Sequence, residues 1–382
     1  MVFLYLQRYR LNIMSKPRII ALYLPQFHPC EENNQWWGKG FTEWTNVGKA
    51  KPLFKGHDQP RVPADLGYYD LRLPVVRQQQ VELAKRGGVN SFCYWHYWFG
   101  NGKRLLADVF DEVLASGKPD FPFCLAWANH SWYAKVWDKD AKDKLLIEQT
   151  YPGIDDAWKH FEFLLKAFRD KRYVQVDGCP FLHIFDAESL PESYIKWFKE
   201  WTKEAGFKGL YLVANSYDVT KDATYFKKKG YDAVVYGRMS SLWDREYAHM
   251  NGVEKIFARA ERRIKQAVTG RPRGARDYAH DFHHFITSEE RRLDVIPEIV
   301  PQWDHSPRSG DKAATIYYNS EPKYFYKHVK EALDAIKDKP EEYQLIMLKS
   351  WNEWGEGNYM EPDLTHGCGY IDALRQALEE CR

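Results

Sequence analysis

The chain runs to 382 residues with 44% hydrophobic and 28% charged positions, a composition that excludes an intrinsically disordered polymer. Fifty-five Lys and Arg stand against 53 Asp and Glu, and a net charge of +2 gives no overall electrostatic case for nucleic acid or an anionic membrane. Six scattered cysteines with no CxxC pair exclude a zinc ribbon or a disulfide scaffold and suit a reducing compartment.

Residues 1–13, MVFLYLQRYRLNI, make a poor targeting segment. Arg8 and Arg10 interrupt the apolar run, and no small-residue cleavage site follows. Met14 opens MSKPRIIALYLP and reads as a start. Residues 1–13 are therefore expected to be a mis-assigned start or a disordered tail, and 14–382 one folded domain. No stretch approaches the roughly 18 apolar residues of a membrane span. A cytoplasmic protein without a membrane span is expected.

Eight short apolar runs bounded by turn residues come next: Ile19–Leu24, Val89–Tyr97, Phe123–Ala128, Phe181–Asp186, Leu210–Asn215, Ala233–Tyr236, Val295–Pro301 and Leu345–Trp351. The sixth is short, and Pro297 breaks the seventh. Between them lie helical stripes: Leu105, Leu106, Val109, Phe110, Val113 and Leu114; Trp158, Phe161, Leu164, Leu165 and Phe168; Tyr194, Ile195, Phe198 and Trp201; Phe325, Val329, Ala332, Leu333 and Ile336. Gly87-Gly88 and Gly206 mark helix ends. This alternation predicts an α/β fold, a single-domain (β/α)8 TIM barrel. An open doubly wound sheet would want a Gly-rich loop after the first strand, where residues 25–33 read PQFHPCEEN. Residues 25–88 and 237–294 are too long for simple βα units. They are expected as long loops on the C-terminal face, where barrels build their sites.

The ends of the runs change character. They carry Gln26 and His28; Trp95, His96 and Tyr97; Trp127, Asn129, His130 and Trp132; Asp186; Asn215; Gln302 and Trp303; and Trp351, Asn352 and Trp354. Trp44, in the first long connection, is grouped with them. The chain is rich in such rings, with 15 Trp, 25 Tyr and 21 Phe. Hydrogen-bonding groups interleaved with flat rings are what sugar recognition needs: hydroxyls take the polar groups and C–H faces stack on the rings. An oligosaccharide or polysaccharide substrate is expected from these residues.

The sharpest local signal is WNEWGEG at 351–357. Glycosidic bond cleavage commonly uses two carboxyl groups. Glu353 and Glu356 would face opposite ways in a strand and the same way in a helical turn, which Gly355 and Gly357 make easy. Aromatic neighbours would desolvate one carboxyl and raise its pKa, as a general acid requires. The plain alternative is an exposed acidic pair at a helix start.

Together LPQFHP, GFTEWTNV (40–47), DLGYYDLR (65–72), FCYWHYWF (92–99), WANHSW (127–132) and SWNEWGEG (350–357) resemble the WbsX-type proteins, from about Arg18 to Ile371. These in turn are similar to glycoside hydrolase family 99, whose members are (β/α)8 retaining endo-α-mannosidases. The resemblance implies Glu353 as base toward the sugar 2-hydroxyl, through a 1,2-anhydro sugar, and Glu356 as acid/base. Gly355 departs from family 99, which commonly carries a bulkier residue there. WbsX-type proteins are also labelled glycosyltransferases of surface-polysaccharide synthesis. A transferase assembling O-antigen or capsule and a non-catalytic glycan-binding barrel therefore stand as alternatives, and a lipid-linked or anionic substrate is the corresponding expectation.

Weaker signals carry bland readings. Asp138-Lys139-Asp140 matches a metal-binding DxD pattern but reads as a solvated loop. His280, His283 and His284 lack the partners of a tetrahedral site, so no metal and no cofactor is expected. Arg259, Arg262, Arg263, Arg271, Arg273 and Arg276 read as a solvated helix face and flexible loop, or as a clamp for an anionic or lipid-linked glycan.

Overall fold

The computed structural model describes residues 17–134, 144–218 and 220–381. The expected tail at 1–13, Met14, and the Asp138-Lys139-Asp140 pattern lie outside the described residues. Eight parallel strands form the core sheet: β1 (Arg18–Tyr23), β2 (Ser91–Trp98), β3 (Phe123–Trp127), β4 (Cys179–Ile184), β5 (Tyr211–Ser216), β6 (Ala233–Tyr236), β7 (Glu298–Ile299) and β8 (Leu345–Leu348). Each is an almost continuous buried apolar run, as strands covered on both faces require.

Neighbours follow chain order from β1 to β6, and β8 pairs with both β1 and β7. The last edge, between β6 and β7, is joined by one parallel bridge, Val234 to Val295. There Ile296 N donates to Val234 O and Val234 N donates to Asp294 O, each at 2.9 Å. Pro297 accounts for this economy. Without an N–H it cannot continue a ladder, so the seventh run serves β6 before it and β8 after it. The result is a nearly closed (β/α)8 barrel.

The outer helices are α1 (Pro74–Gly87), α2 (Asp108–Ser116), α3 (Ile154–Phe168), α4 (Glu192–Glu204), α5 (Ala223–Lys229), α6 (Gly252–Thr269), α7 (Pro322–Ile336) and α8 (Gly369–Glu380). Pro74 at the first position presets α1, and Gly88 at φ +85° ends it. Phe161, Leu164 and Phe168 of α3, and Phe325, Val329 and Ile336 of α7, pack onto the sheet as their spacing predicts. One stripe differs. Leu105 belongs to a two-residue strand, Arg104–Leu105, that turns back antiparallel onto β2, and α2 begins only at Asp108. Among the described residues no helix is long and apolar enough to cross a membrane.

The connection after β1 holds two short helices, Glu31–Trp37 and Glu43–Lys49, before α1. It lies over the C-terminal mouth and packs on the segments that follow β7 and β8.

Candidate active site

The chain leaves β8 and reaches Asn352, whose Oδ1 accepts from Leu24 N (2.8 Å) and whose Nδ2 donates to Leu24 O (3.0 Å). That one side chain clips the end of β8 to the end of β1. Asn352–Glu353 then pairs antiparallel with Asn358–Tyr359, and Trp354–Glu356 form a single 3₁₀ turn between them. Residues three apart eclipse in such a turn, so Glu353 and Glu356 face the same side. Gly357 closes it at φ +55°, where a Cβ would sit 2.8 Å from Asp304 Cβ.

Both carboxylates meet Arg308. Its Nη2 donates to Glu353 Oε1 and its Nη1 to Glu356 Oε1, each at 2.6 Å, and Nη2 also lies 3.0 Å from Glu43 Oε2. Only the width of a guanidinium separates the two acids. Arg308 sits on the one-turn helix Ser306–Ser309, whose start is fixed by Asp304 Oδ1 accepting from Ser306 N (2.9 Å). A Cβ on Gly355 would come within 2.5 Å of Glu43 Oε2 and 2.9 Å of Arg308 Nε. Glycine there leaves room for the Arg308–Glu43 pair.

The two acids differ electrostatically. Burial pushes the Glu353 carboxyl up against the pull of Arg308, and Glu356 and Glu43 push it the same way. Burial also acts on Glu356, but Arg308 and His305, at 3.4 Å, outweigh it and hold its carboxyl below the usual range. Of the two, Glu353 is the carboxyl that favours holding a proton and Glu356 the one that favours ionisation.

The acids open onto a cavity of about 800 Å³. Gln26, Trp95, Tyr97, His130, Trp132 and Trp303 line it with them, and Gln26 Nε2 donates to Tyr97 OH at 2.6 Å. The remaining expected site residues are set back in the walls. Strand alternation explains several of them: on β2, Trp95 and Tyr97 face the cavity, so His96 between them faces α3. There its Nε2 shares a hydrogen bond with His160 Nε2 (2.8 Å), and burial pushes its pKa well down, so it is neutral. Past β3, Ala128 and His130 face in, while Trp127 donates to Trp98 O and Asn129 donates to Tyr151 OH and Asp186 O. Asp186 accepts from Ser189, and Asn215 donates to Phe185 O. Buried His28 bonds to Pro29 O. Trp44 donates to Tyr69 O and packs against Phe27 and Trp354. Gln302 accepts from Arg61, and Trp351 is fully buried. Trp354 donates to Glu361 and stacks on Tyr359. These groups hold the walls in place.

Several lining residues carry no signal read from the sequence above: Glu43, His305, Arg308 and Lys349. Lys349 is paired with buried Glu298 at 3.0 Å. Glu43 does lie within GFTEWTNV, but nothing in that stretch ties it to an arginine 265 positions away. Two histidines of the second insertion pair with acids instead, His283 with Glu331 and His280 with Asp281. Among the described residues no group of three or more His, Cys, Asp and Glu is placed to hold a metal ion. Arg276 of the basic run is buried against Glu246 and Asp281.

Residues 19–374 match the family model described as Glycosyltransferase WbsX. Two proteins of Xanthomonas campestris pv. campestris, each called uncharacterized protein WxcX, are 34% identical over 368 residues. That alignment takes in 94% of this chain and 49% of theirs, so the chain spans about half the length of the curated relatives it matches. A glycoside hydrolase-like protein superimposes with a TM-score of 0.57 at 14% identity, over 96% of this chain and 95% of that one. The GH99 endo-α-mannosidase of Bacteroides thetaiotaomicron, in complex with Bis-Tris propane, gives 0.55 at 12% identity, over 96% and 97%. At such identities the likeness is one of fold.

Proposed function

The chain belongs to the WbsX glycosyltransferase family, and from that premise we propose that it is a glycan-active enzyme, a retaining glycoside hydrolase or transglycosylase working through Glu353 and Glu356. One observation carries the reading: two carboxylates turned onto a single guanidinium at the mouth of the barrel, facing a cavity walled by Trp and Tyr. Two carboxylates that share one guanidinium lie close together, as a retaining pair at about 5–5.5 Å does, which favours that geometry over the wider inverting gap. Trp95, Tyr97, Trp132 and Trp303 offer stacking faces, and Gln26 and His130 offer hydrogen bonds to hydroxyls. The substrate class is an oligosaccharide or polysaccharide, in the manner of a bacterial surface glycan or its lipid-linked precursor.

Glu353 acts as base toward the sugar 2-hydroxyl and Glu356 as acid/base, the roles implied by the resemblance to family 99. The pair's own electrostatics favour the proton on the other partner. Arg308 lowers both carboxyls alike, so these roles need the bound sugar to move the proton from Glu353 to Glu356.

Glu356→Gln should cost roughly two to four orders of magnitude in turnover of natural glycosides. It should cost least with an activated leaving group, which needs no proton. Glu353→Gln should be damaging with either, and a 2-deoxy substrate should be inert. Full activity in either variant, or turnover of the 2-deoxy sugar, would sink the assignment.

The family's description favours a second reading, a glycosyltransferase of O-antigen or capsule assembly. Incubation with nucleotide- or lipid-linked donors separates the two: a transferase releases nucleotide or lipid carrier only when an acceptor is present. A glycan-binding barrel would keep its affinity in the double Gln variant and turn nothing over.

A further inference from the structure

We infer that α6 is a membrane-surface anchor, an amphipathic helix that lies on an anionic phospholipid bilayer. The helix is oriented opposite to the others. Val253, Ile256, Phe257, Ile264 and Val268 are 61%, 65%, 70%, 65% and 80% exposed, and no residue of the helix is buried. Their spacing places all five on one face at helical periodicity. Arg262 lies on the opposite face and holds the helix to the protein, stacked 4.0 Å over Trp243 and 5.2 Å over Tyr247. The polar side faces the body and the apolar stripe faces out.

The stripe is preformed. Asn251 Oδ1 accepts from Val253 N and Glu254 N, each at 3.0 Å, and Glu254 Oε2 accepts from Asn251 N at 2.7 Å. This capping box starts the helix without help from tertiary packing. Binding therefore need not order it.

Charge selects the partner. From Gly252 to Arg273 there are seven basic residues against two acidic. By the same periodicity Arg263 borders one edge of the stripe with Arg259 behind it, and Glu261 and Glu254 border the other. An apolar stripe on a helix of net positive charge describes a helix that sinks the stripe into the acyl boundary while Arg263 and Arg259, beside its edge, reach lipid phosphates. A second copy of this chain fits less well, because it would pair two helices that each carry a net positive charge. The anchor stands apart from the catalytic proposal. It bears on it in one respect: Ser240, in the same connection, lines the cavity, so an anchored bilayer would lie beside the mouth.

The test is sedimentation of the whole chain with vesicles of phosphatidylcholine, with and without about 30% phosphatidylserine. Binding should be at least about tenfold tighter with phosphatidylserine and should weaken in about 0.5 M NaCl. Phe257→Asp with Ile264→Asp should lower it by about tenfold or more. The melting temperature should not move, since both side chains are already in water. No binding to the anionic vesicles, or binding that this double variant leaves intact, overturns the proposal. So does a wild-type dimer in light scattering that the variant makes monomeric, which would assign the stripe to a second copy. None of these readouts depends on turnover.

Discussion

Arg308 sets the charge state of the cleft. Its guanidinium lies against three carboxylates, and it is the cation that keeps Glu356 ionised while burial keeps a proton on Glu353. Remove that positive charge and both acids hold their protons more tightly. Arg308→Gln should therefore move both limbs of the kcat/KM–pH profile to higher pH, by roughly one to three units, the usual effect of an opposite charge at contact. The sign is the same whichever acid donates to the leaving oxygen. Arg308→Lys keeps the charge but loses the fork that reaches two carboxylates at once, so it should restore the position of the limbs and only part of the rate. A profile that stays in place in Arg308→Gln would show that the arginine does not tune the pair. Glu43, on the far side of the guanidinium, then serves to hold Arg308 in line.

The turn at Trp354–Glu356 works because Gly355 has no side chain. Its φ is not in the left-handed region, so alanine is permitted by the backbone, and the only obstacle is the space taken by Glu43 and Arg308. Gly355→Ala should leave the fold intact, displace the Arg308–Glu43 pair and lower kcat/KM by about tenfold, or ~1.4 kcal/mol of transition-state stabilisation. Wild-type rates in that variant would mean the close packing is dispensable. The WNEWGEG element was legible because its chemistry is local: two acids at a helical spacing with glycines between. The strands were legible because burial on both faces makes each an apolar run, and Pro297 marked the short one in advance. Arg308 was not legible. It sits in a loop without periodicity, and its partners lie 45, 48 and 265 positions away in the chain. The strand-end candidates divided for a related reason. A strand shows alternate residues to alternate faces, so a run such as Trp95-His96-Tyr97 places its middle member behind the wall, and the sequence does not say which face is the cavity.

Across the whole molecule, one buried carboxylate joins the parts that build the mouth. Glu361 is 1% exposed. It accepts from Gln80 Nε2 of α1 (2.6 Å), from Tyr69 OH in the first long connection (2.8 Å) and from Trp354 Nε1 in the 3₁₀ turn Trp354–Glu356 (2.6 Å). Burial pushes its pKa up to about 7, although these donors oppose the rise. A carboxyl whose folded pKa lies above its unfolded value contributes stability that is fully present below the unfolded pKa. That contribution is lost as pH rises through the folded one. For Glu361 the window runs from about 4.3, the unfolded glutamate value, to about 7, and the loss across it is about 4 kcal/mol at 1.36 kcal/mol per unit. Asp304 works in the other direction. It is fully buried and accepts from His57 and Gln59, and with Arg61 nearby these outweigh burial and depress its pKa. Its stabilisation is present above the unfolded aspartate value of about 3.9 and is lost as pH falls below it. Buried neutral histidines such as His96 and His183 work against Glu361 below about pH 6.5, gaining stability as pH rises, so its share is read as a difference between two proteins. In urea unfolding at pH 5, 6 and 7.5, the stability of wild type relative to Glu361→Gln should fall across the series, because only wild type carries the titrating group. The variant should also be less stable at pH 5 by ~1–3 kcal/mol, since an amide presents a donor where Gln80 and Trp354 already donate. Equal slopes in the two proteins would remove Glu361 from the pH dependence.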